Sequence, residues 1–171
     1  KKLFESISRL DAINKVIRNP LILRLLVEGF CTDQNLAKNR AEIFRRYVEI
    51  VVWENRESTM NIPPIHRPSI LKTLEKYAWK MIGGEQIEWD DEDEQMVFLR
   101  KHLGLLSAFS EGEKVFVVFT HMSFRDYFIA RYLMNYWLDP TAKRIAWRVM
   151  RQRIHDPGWL EPIKILSLML V

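Results

Sequence analysis

Cysteine is almost missing from this chain. Cys31 is the single one among 171 residues, so an internal disulfide is impossible and a multi-cysteine zinc site is excluded. A reducing compartment suits such a chain. Glycine is sparse as well, with six, and none is followed by lysine. The Gly-x-x-x-x-Gly-Lys-[Ser/Thr] cradle for phosphates is therefore absent. There is no Gly-x-Ser-x-Gly elbow, and Cys31 has no evident partner for nucleophilic catalysis. The four histidines, His66, His102, His121 and His155, show no zinc-ligand spacing. No apolar run reaches the length of a membrane span, and no secretory signal is visible. Neither a catalytic residue nor a metal ligand can be nominated, and the chain by itself is not expected to be an enzyme.

What is present describes a folded, mainly helical chain. Hydrophobic residues make up 48% and Trp occurs six times, too much apolar surface for a disordered segment. The length can bury one core or two small ones. A net charge of +4 permits contact with phosphates without demanding nucleic acid. The start at Lys1-Lys2 and the end at Leu168-Met169-Leu170-Val171, inside an apolar helical pattern, both read as cut. A piece of a longer protein is expected.

In chain order, Leu3, Ile7, Leu10, Ile13 and Ile17 recur at helical spacing and predict a helix over residues 3–18. Asn19-Pro20 ends it and opens the next helix, because proline suits a first helical position. Leu21 to Val27 is apolar nearly all round and should be buried. The longest predicted helix is Asn39 to Glu57, with Asn39 as its cap and Glu42 reaching back. Ile43-Phe44, Tyr47-Val48 and Val51-Val52 form its apolar stripe, and its alternating Arg and Glu residues read as a solvated face. Ile62-Pro63-Pro64-Ile65-His66-Arg67-Pro68 reads as a linker and a domain boundary. Pro68 to Ile82 is a predicted helix stopped by Gly83-Gly84. Asp90-Asp91-Glu92-Asp93-Glu94 lacks the glycine a calcium loop needs. It sits where acids suit a helix start, so Asp90 to His102 is the next predicted helix.

Ser107-Ala108-Phe109, a turn over Ser110 to Lys114, and Val115 to Phe119 predict a β-hairpin. Thr120 is placed to cap the following helix, His121 to Leu138. That puts His121 in the first turn, with a ring nitrogen near backbone N–H groups and the positive end of the helix dipole, where an anion is welcome. Thr141 to Ile154 is predicted as a helix rich in Lys and Arg. Asp156-Pro157-Gly158 reads as a turn, and Trp159 to Val171 as a last helix. The basic run of Lys143, Arg144, Arg148, Arg151 and Arg153 reads as a solvated face or one resting on an acidic neighbour domain.

Phe119-x-His121-x-Ser123-Phe124-x-x-Tyr127-Phe128-x-Ala130-x-Tyr132-Leu133 resembles the winged-helix signature of NACHT-type STAND NTPases. Asn19-Pro20-Leu21-x-Leu23 is similar to the segment that such proteins carry in the helical lid after their nucleotide-binding core, and Arg40-x-Glu42-Ile43-Phe44 to the helix that follows it. Arg125-Asp126 stands where the family has Gln-Glu, and Ile129 where it has a small residue. The resemblance implies a mainly α fold: a helical lid domain over residues 1–62, a winged-helix domain with one small hairpin over 63–138, and the start of a second helical domain over 139–171.

It further implies that ADP or ATP with Mg is held by the intact parent, between an upstream P-loop NTPase core and this piece. Pro20 would touch the adenine and His121 the β-phosphate. The other implied partners are a downstream sensor or repeat domain and, on activation, further copies of the same chain. The parent would be a cytoplasmic switch with weak ATPase activity, serving innate immunity, cell death or antiphage defence. Two other classes stay open. One is a winged-helix nucleic-acid binder using the hairpin or the basic Lys143–Arg153 face, against which Glu111 and Glu113 outweigh Lys114 in the hairpin turn. The other is a protein-interaction scaffold.

Overall fold

The computed structural model describes residues 19–33, 36–49, 67–101 and 104–170. The helix expected over residues 3–18, the second half of the one expected from Asn39 to Glu57, and residues 62–66 of the proline-rich boundary lie outside the described residues. Seven described helices and three short strands run in the order α1 (Pro20–Asp33), α2 (Arg40–Glu49), α3 (Arg67–Ile82), β1 (Ile87–Glu88), α4 (Glu94–Lys101), β2 (Leu106–Glu111), β3 (Lys114–Phe119), α5 (Met122–Leu138), α6 (Lys143–Arg153) and α7 (Pro157–Met169). The fold is mainly α with one small antiparallel sheet, as the sequence pattern led one to expect.

Local chemistry sets most of these boundaries. Asn19 Oδ1 accepts from the Leu21 amide at 3.0 Å, just ahead of Pro20 at the first position of α1. Asn39 Oδ1 takes the Glu42 amide at 3.0 Å, and the Glu42 carboxylate reaches back to the Lys38 amide at 2.7 Å. This is a capping box with its return bond shifted one residue outward. Asp93, the fourth member of the acid run, caps α4 by accepting from the Met96 amide. Asp156-Pro157-Gly158, expected to be a turn, instead starts α7. Asp156 accepts from the Gly158 amide at 2.9 Å, and Pro157 occupies the first helical position, where its missing N–H is no loss.

The sheet has the order β1-β3-β2. β2 and β3 pair from Leu106 with Phe119 to Glu111 with Lys114, around a two-residue turn in which Gly112 takes φ +62°. The turn is tighter than the sequence suggests, because Ser110 and Glu111 continue the ladder. β1 adds a strand that the sequence did not disclose, pairing Ile87 with Val117 and Glu88 with Phe116. Two residues are too few to show a period. Lys114 reaches across to an ion pair with Glu88.

α5 is the element on which the rest converge. It packs against α3, α6, α7, α2 and β3. Accordingly Asp126, Tyr127, Phe128, Ile129 and Ala130 are buried at consecutive positions, together with Phe124 and Leu133. Aromatic rings fill these contacts. Phe128 stacks on Phe119 at 5.8 Å, Phe124 on Tyr47 at 5.5 Å, and Tyr132 on Trp79 at 4.6 Å. Burial and the hydroxyl of Tyr136 beside it push the Tyr132 phenol up to about 12.

Two acidic side chains are buried among the described residues, Asp126 and Glu75, and the second ties two helices together. The Glu75 side chain on α3 is 4% exposed. It accepts from Arg131 Nε at 2.8 Å and from Asn135 Nδ2 at 2.8 Å, both on α5. A carboxylate in such a place is tolerable only while its partners hold it. Arg131→Met is expected to lower the unfolding free energy by roughly 3 kcal/mol, because it strands the Glu75 carboxylate. Glu75→Leu with Arg131→Met should lose less than Arg131→Met alone. Urea titrations followed by Trp fluorescence measure both. Equal losses from the single and double variants would mean that the carboxylate is solvated.

Candidate functional site

The site is built at the junction of β3 and α5. β3 ends at Phe119, and the chain is held there by Thr120. Its amide donates to the Leu105 carbonyl at 3.0 Å, and its hydroxyl lies 3.0 Å from the Gly104 carbonyl and 3.2 Å from that of Leu105. Thr120 is thus occupied by the strand side and does not cap the helix, contrary to expectation. His121 does so in its place. Its backbone is extended, at φ −145° and ψ 134°, and its Nδ1 accepts from the Ser123 amide at 3.2 Å. His121 is therefore the residue before the first turn of α5, not within that turn.

The cap has a chemical consequence. An Nδ1 that accepts a hydrogen bond carries no proton, so the neutral ring holds its proton on Nε2. The half-buried imidazole presents a donor at the positive end of the α5 dipole. Anion recognition needs this arrangement: N–H groups and a dipole, with no carboxylate on the same turn.

Ser123, two residues on, is buried, and its Oγ accepts from Arg40 Nη2 at 3.2 Å. The other terminal nitrogen of Arg40 is in an ion pair with Glu161 of α7. Arg40 therefore bridges the start of α2, the start of α5 and α7. The sequence pattern placed Arg40 among the solvated residues of an alternating face. The structure corrects this, with only 24% of the side chain exposed. Its guanidinium also lies 5.7 Å from the Phe44 ring. No spacing rule could have found the bridge, because its ends lie 83 and 121 residues away.

Three carboxylates around this bridge are displaced from their usual range. Asp126 is pushed up by burial, which the adjacent Arg125 guanidinium at 2.9 Å only partly offsets. Burial acts in the same sense on Glu161, but Lys164 and Arg40 outweigh it and hold its carboxyl low. Glu42 is likewise lowered, with burial outweighed by the Lys38 amide and by Arg46.

Pro20 stands at the start of α1 and is exposed. α1 packs on α2, and α2 on both α5 and α7, so α2 is the physical link between the turn that carries Pro20 and the turn that carries His121. A separate cleft of about 440 Å³ opens between α2, α5 and α7, lined by Asn39, Glu42, Arg45, Tyr127, Arg131 and Asn135 among others. Its cations are already engaged: Arg131 with Glu75, and Arg45 with Glu42 and Glu49. It offers no uncompensated charge to a ligand. Among the described residues, no group of three or more His, Cys, Asp or Glu side chains is placed to hold a metal ion. Nor is any helix among them long and apolar enough to cross a membrane.

No protein-family model matches the chain, and no curated protein matches it.

The lowered Glu161 and Glu42 carboxylates fix the sign of an acid response. A depressed folded pKa adds stability that is fully present above the unfolded value of 4.5 and is lost as pH falls through the folded one. Asp126, with its raised pKa, acts in the opposite sense. Glu161→Gln is expected to be less stable than the parent sequence at pH 7 and to lose less of its stability below pH 4.5. Denaturant midpoints on either side of that pH test this. A parallel acid loss in both proteins would remove Glu161 from the account.

Proposed function

We propose that this chain is the helical lid and winged-helix portion of a NACHT-type STAND NTPase, and that it closes over ADP or ATP held by a P-loop core on the same polypeptide. The observation that carries the reading is the cap at His121. The residue singled out by the resemblance stands at a helix N-terminus with Nδ1 occupied and Nε2 left as a donor. Supporting it, the helices and hairpin follow one another in the order of a winged-helix domain. In addition, α2 of the lid segment packs directly on α5, as a lid coupled to that domain requires.

Bound nucleotide would supply the difference in phosphate charge between the two states of the switch. His121 would donate from Nε2 to the β-phosphate of ADP, and Pro20 would give its ring to the adenine face. Arg40 would keep α2 in register with α5, so that both contacts are presented together. Loss of the His121 contact on exchange for ATP would release the winged-helix portion from the lid. Each nucleotide shifts that balance only by its difference in affinity for the two arrangements. The intact protein would then be a cytoplasmic switch with weak ATPase activity. It would oligomerise and signal, in immunity, cell death or antiphage defence, through a downstream sensor or repeat domain. The hairpin fits a nucleic-acid wing poorly, since its one turn cation, Lys114, is paired with Glu88.

His121→Asn separates the cap from the ligand contact. Asparagine is a good N-cap, so the thermal midpoint of this chain should hold within a few degrees, whereas His121→Ala should cost about 1 kcal/mol. In the intact parent, His121→Asn should weaken ADP by roughly tenfold or more, the value of one hydrogen bond to a charged group. ATP should be affected less and basal signalling should rise. Calorimetric titration of both nucleotides decides it, and unchanged ADP affinity would sink the assignment. An upstream reading frame without a Gly-x-x-x-x-Gly-Lys-[Ser/Thr] strand–helix turn would end the whole reading.

A further inference from the structure

Two charged surfaces find no compensating charge among the described residues of one copy. The first is the outer face of α6. This helix holds five basic residues and no acid, more positive charge than the +4 of the whole chain. Arg153 is engaged by Asp156 and the Trp159 ring, and Lys143 lies over Trp137 at 4.7 Å. Arg144, Arg148 and Arg151 are exposed and meet no carboxylate among the described residues. Beside them Trp147 is 58% exposed and Ile154 53%, one helical repeat of seven apart. A cationic face bordered by exposed apolar side chains has the composition of an interface.

The second surface is the loop from β1 into α4. Asp90, Asp91, Glu92 and Glu94 are exposed. Asp91 accepts from Trp89 Nε1 and Asp90 from the Glu92 amide, bonds that shape the loop without neutralising it. None of the four is in an ion pair with a cation among the described residues. The two surfaces also match in length. Arg144 to Arg151 spans about 10 Å at helical rise, and Asp90 to Glu94 reaches up to roughly 13 Å when extended. Within one copy no ion pair joins them.

We infer that the basic face of α6 is a docking surface for the Asp90–Glu94 loop of a second copy of this chain. The charge complementarity is carried by the chain itself, and the apolar border of Trp147 and Ile154 suits a protein partner better than a phosphate backbone. Because the two patches differ, the contact is heterologous and propagates from copy to copy into a ring or an open string. It is exposed and electrostatic, so it is weak and salt-sensitive. The inference stands apart from the nucleotide reading: neither His121 nor Pro20 belongs to either surface, and the chain is tested without nucleotide.

Sedimentation equilibrium of the 171-residue chain is the test. At about 50 mM salt the weight-average mass should rise with concentration, and at about 500 mM it should return to the 20.5 kDa monomer. Arg144→Glu with Arg148→Glu, and separately Glu92→Lys with Glu94→Lys, should each remain monomeric. An equimolar mixture of the two variants should associate again, since each restores the complement the other lacks. All substituted side chains are exposed, and circular dichroism checks the fold. The wild-type salt response needs no variant at all. A monomer under every condition overturns the inference, as does either variant assembling like the wild type or a mixture that stays monomeric. Salt-sensitive binding of a labelled oligonucleotide to a monomeric chain, abolished by the arginine reversals, also overturns it and assigns α6 to nucleic acid.

Discussion

Glu75 lies between α3 and α5 and is met by Arg131 and Asn135 on successive turns of α5. A carboxylate in that position accepts its partners at one register only. Sliding α5 by a turn would move it about 5.4 Å and leave a buried charge alone, which is worse than having no charge there. The pairing therefore fixes α5 along its own axis. Since α5 touches five other elements, it fixes much else as well. His121 sits ten residues before Arg131, about 15 Å up the helix, so the depth of the candidate site is set by an ion pair far from it.

Arg40 performs a similar task at the other end. Its two terminal nitrogens are shared between Ser123 and Glu161, and its guanidinium carbon lies over the Phe44 ring. Phe44 in turn packs on Phe124 and Tyr127 of α5, each at 5.7 Å. Apolar packing supplies the attraction between α2 and α5, and the arginine supplies the register, because a planar fork has few ways to satisfy two acceptors. The carboxylates around it depart in opposite directions for one reason: Glu161 faces cations that outweigh its burial, whereas Asp126 is buried more deeply than Arg125 can offset.

Charge is also distributed by function within the chain. Buried or bridging charges are paired and hold elements in register. Among the described residues, Arg144, Arg148 and Arg151 on the α6 face and Asp90, Asp91, Glu92 and Glu94 before or at the start of α4 are exposed without an ion pair, where solvent carries them. At the hairpin, Lys114 is paired with Glu88 across the sheet.

The resemblance singled out His121 and Pro20, whereas the sequence by itself determined the helical character, the hairpin and most helix starts. These follow from local rules: apolar spacing, Asn19 and Asn39 as caps, proline at a first helical position, and β-branched residues from Val115 to Phe119. Two local readings failed where neighbouring signals competed. Thr120 and His121 both had capping chemistry, and only the strand's demand on the Thr120 hydroxyl decided between them. Asp156-Pro157-Gly158 suits a turn and a helix start equally well until Trp159 is buried. The tertiary structure alone decided that β1 joins the sheet, that Glu75 is buried against Arg131, and that Arg40 leaves its solvated face to bridge three helices. Each of these depends on a partner distant in the chain, and a linear pattern carries no information about which distant groups meet.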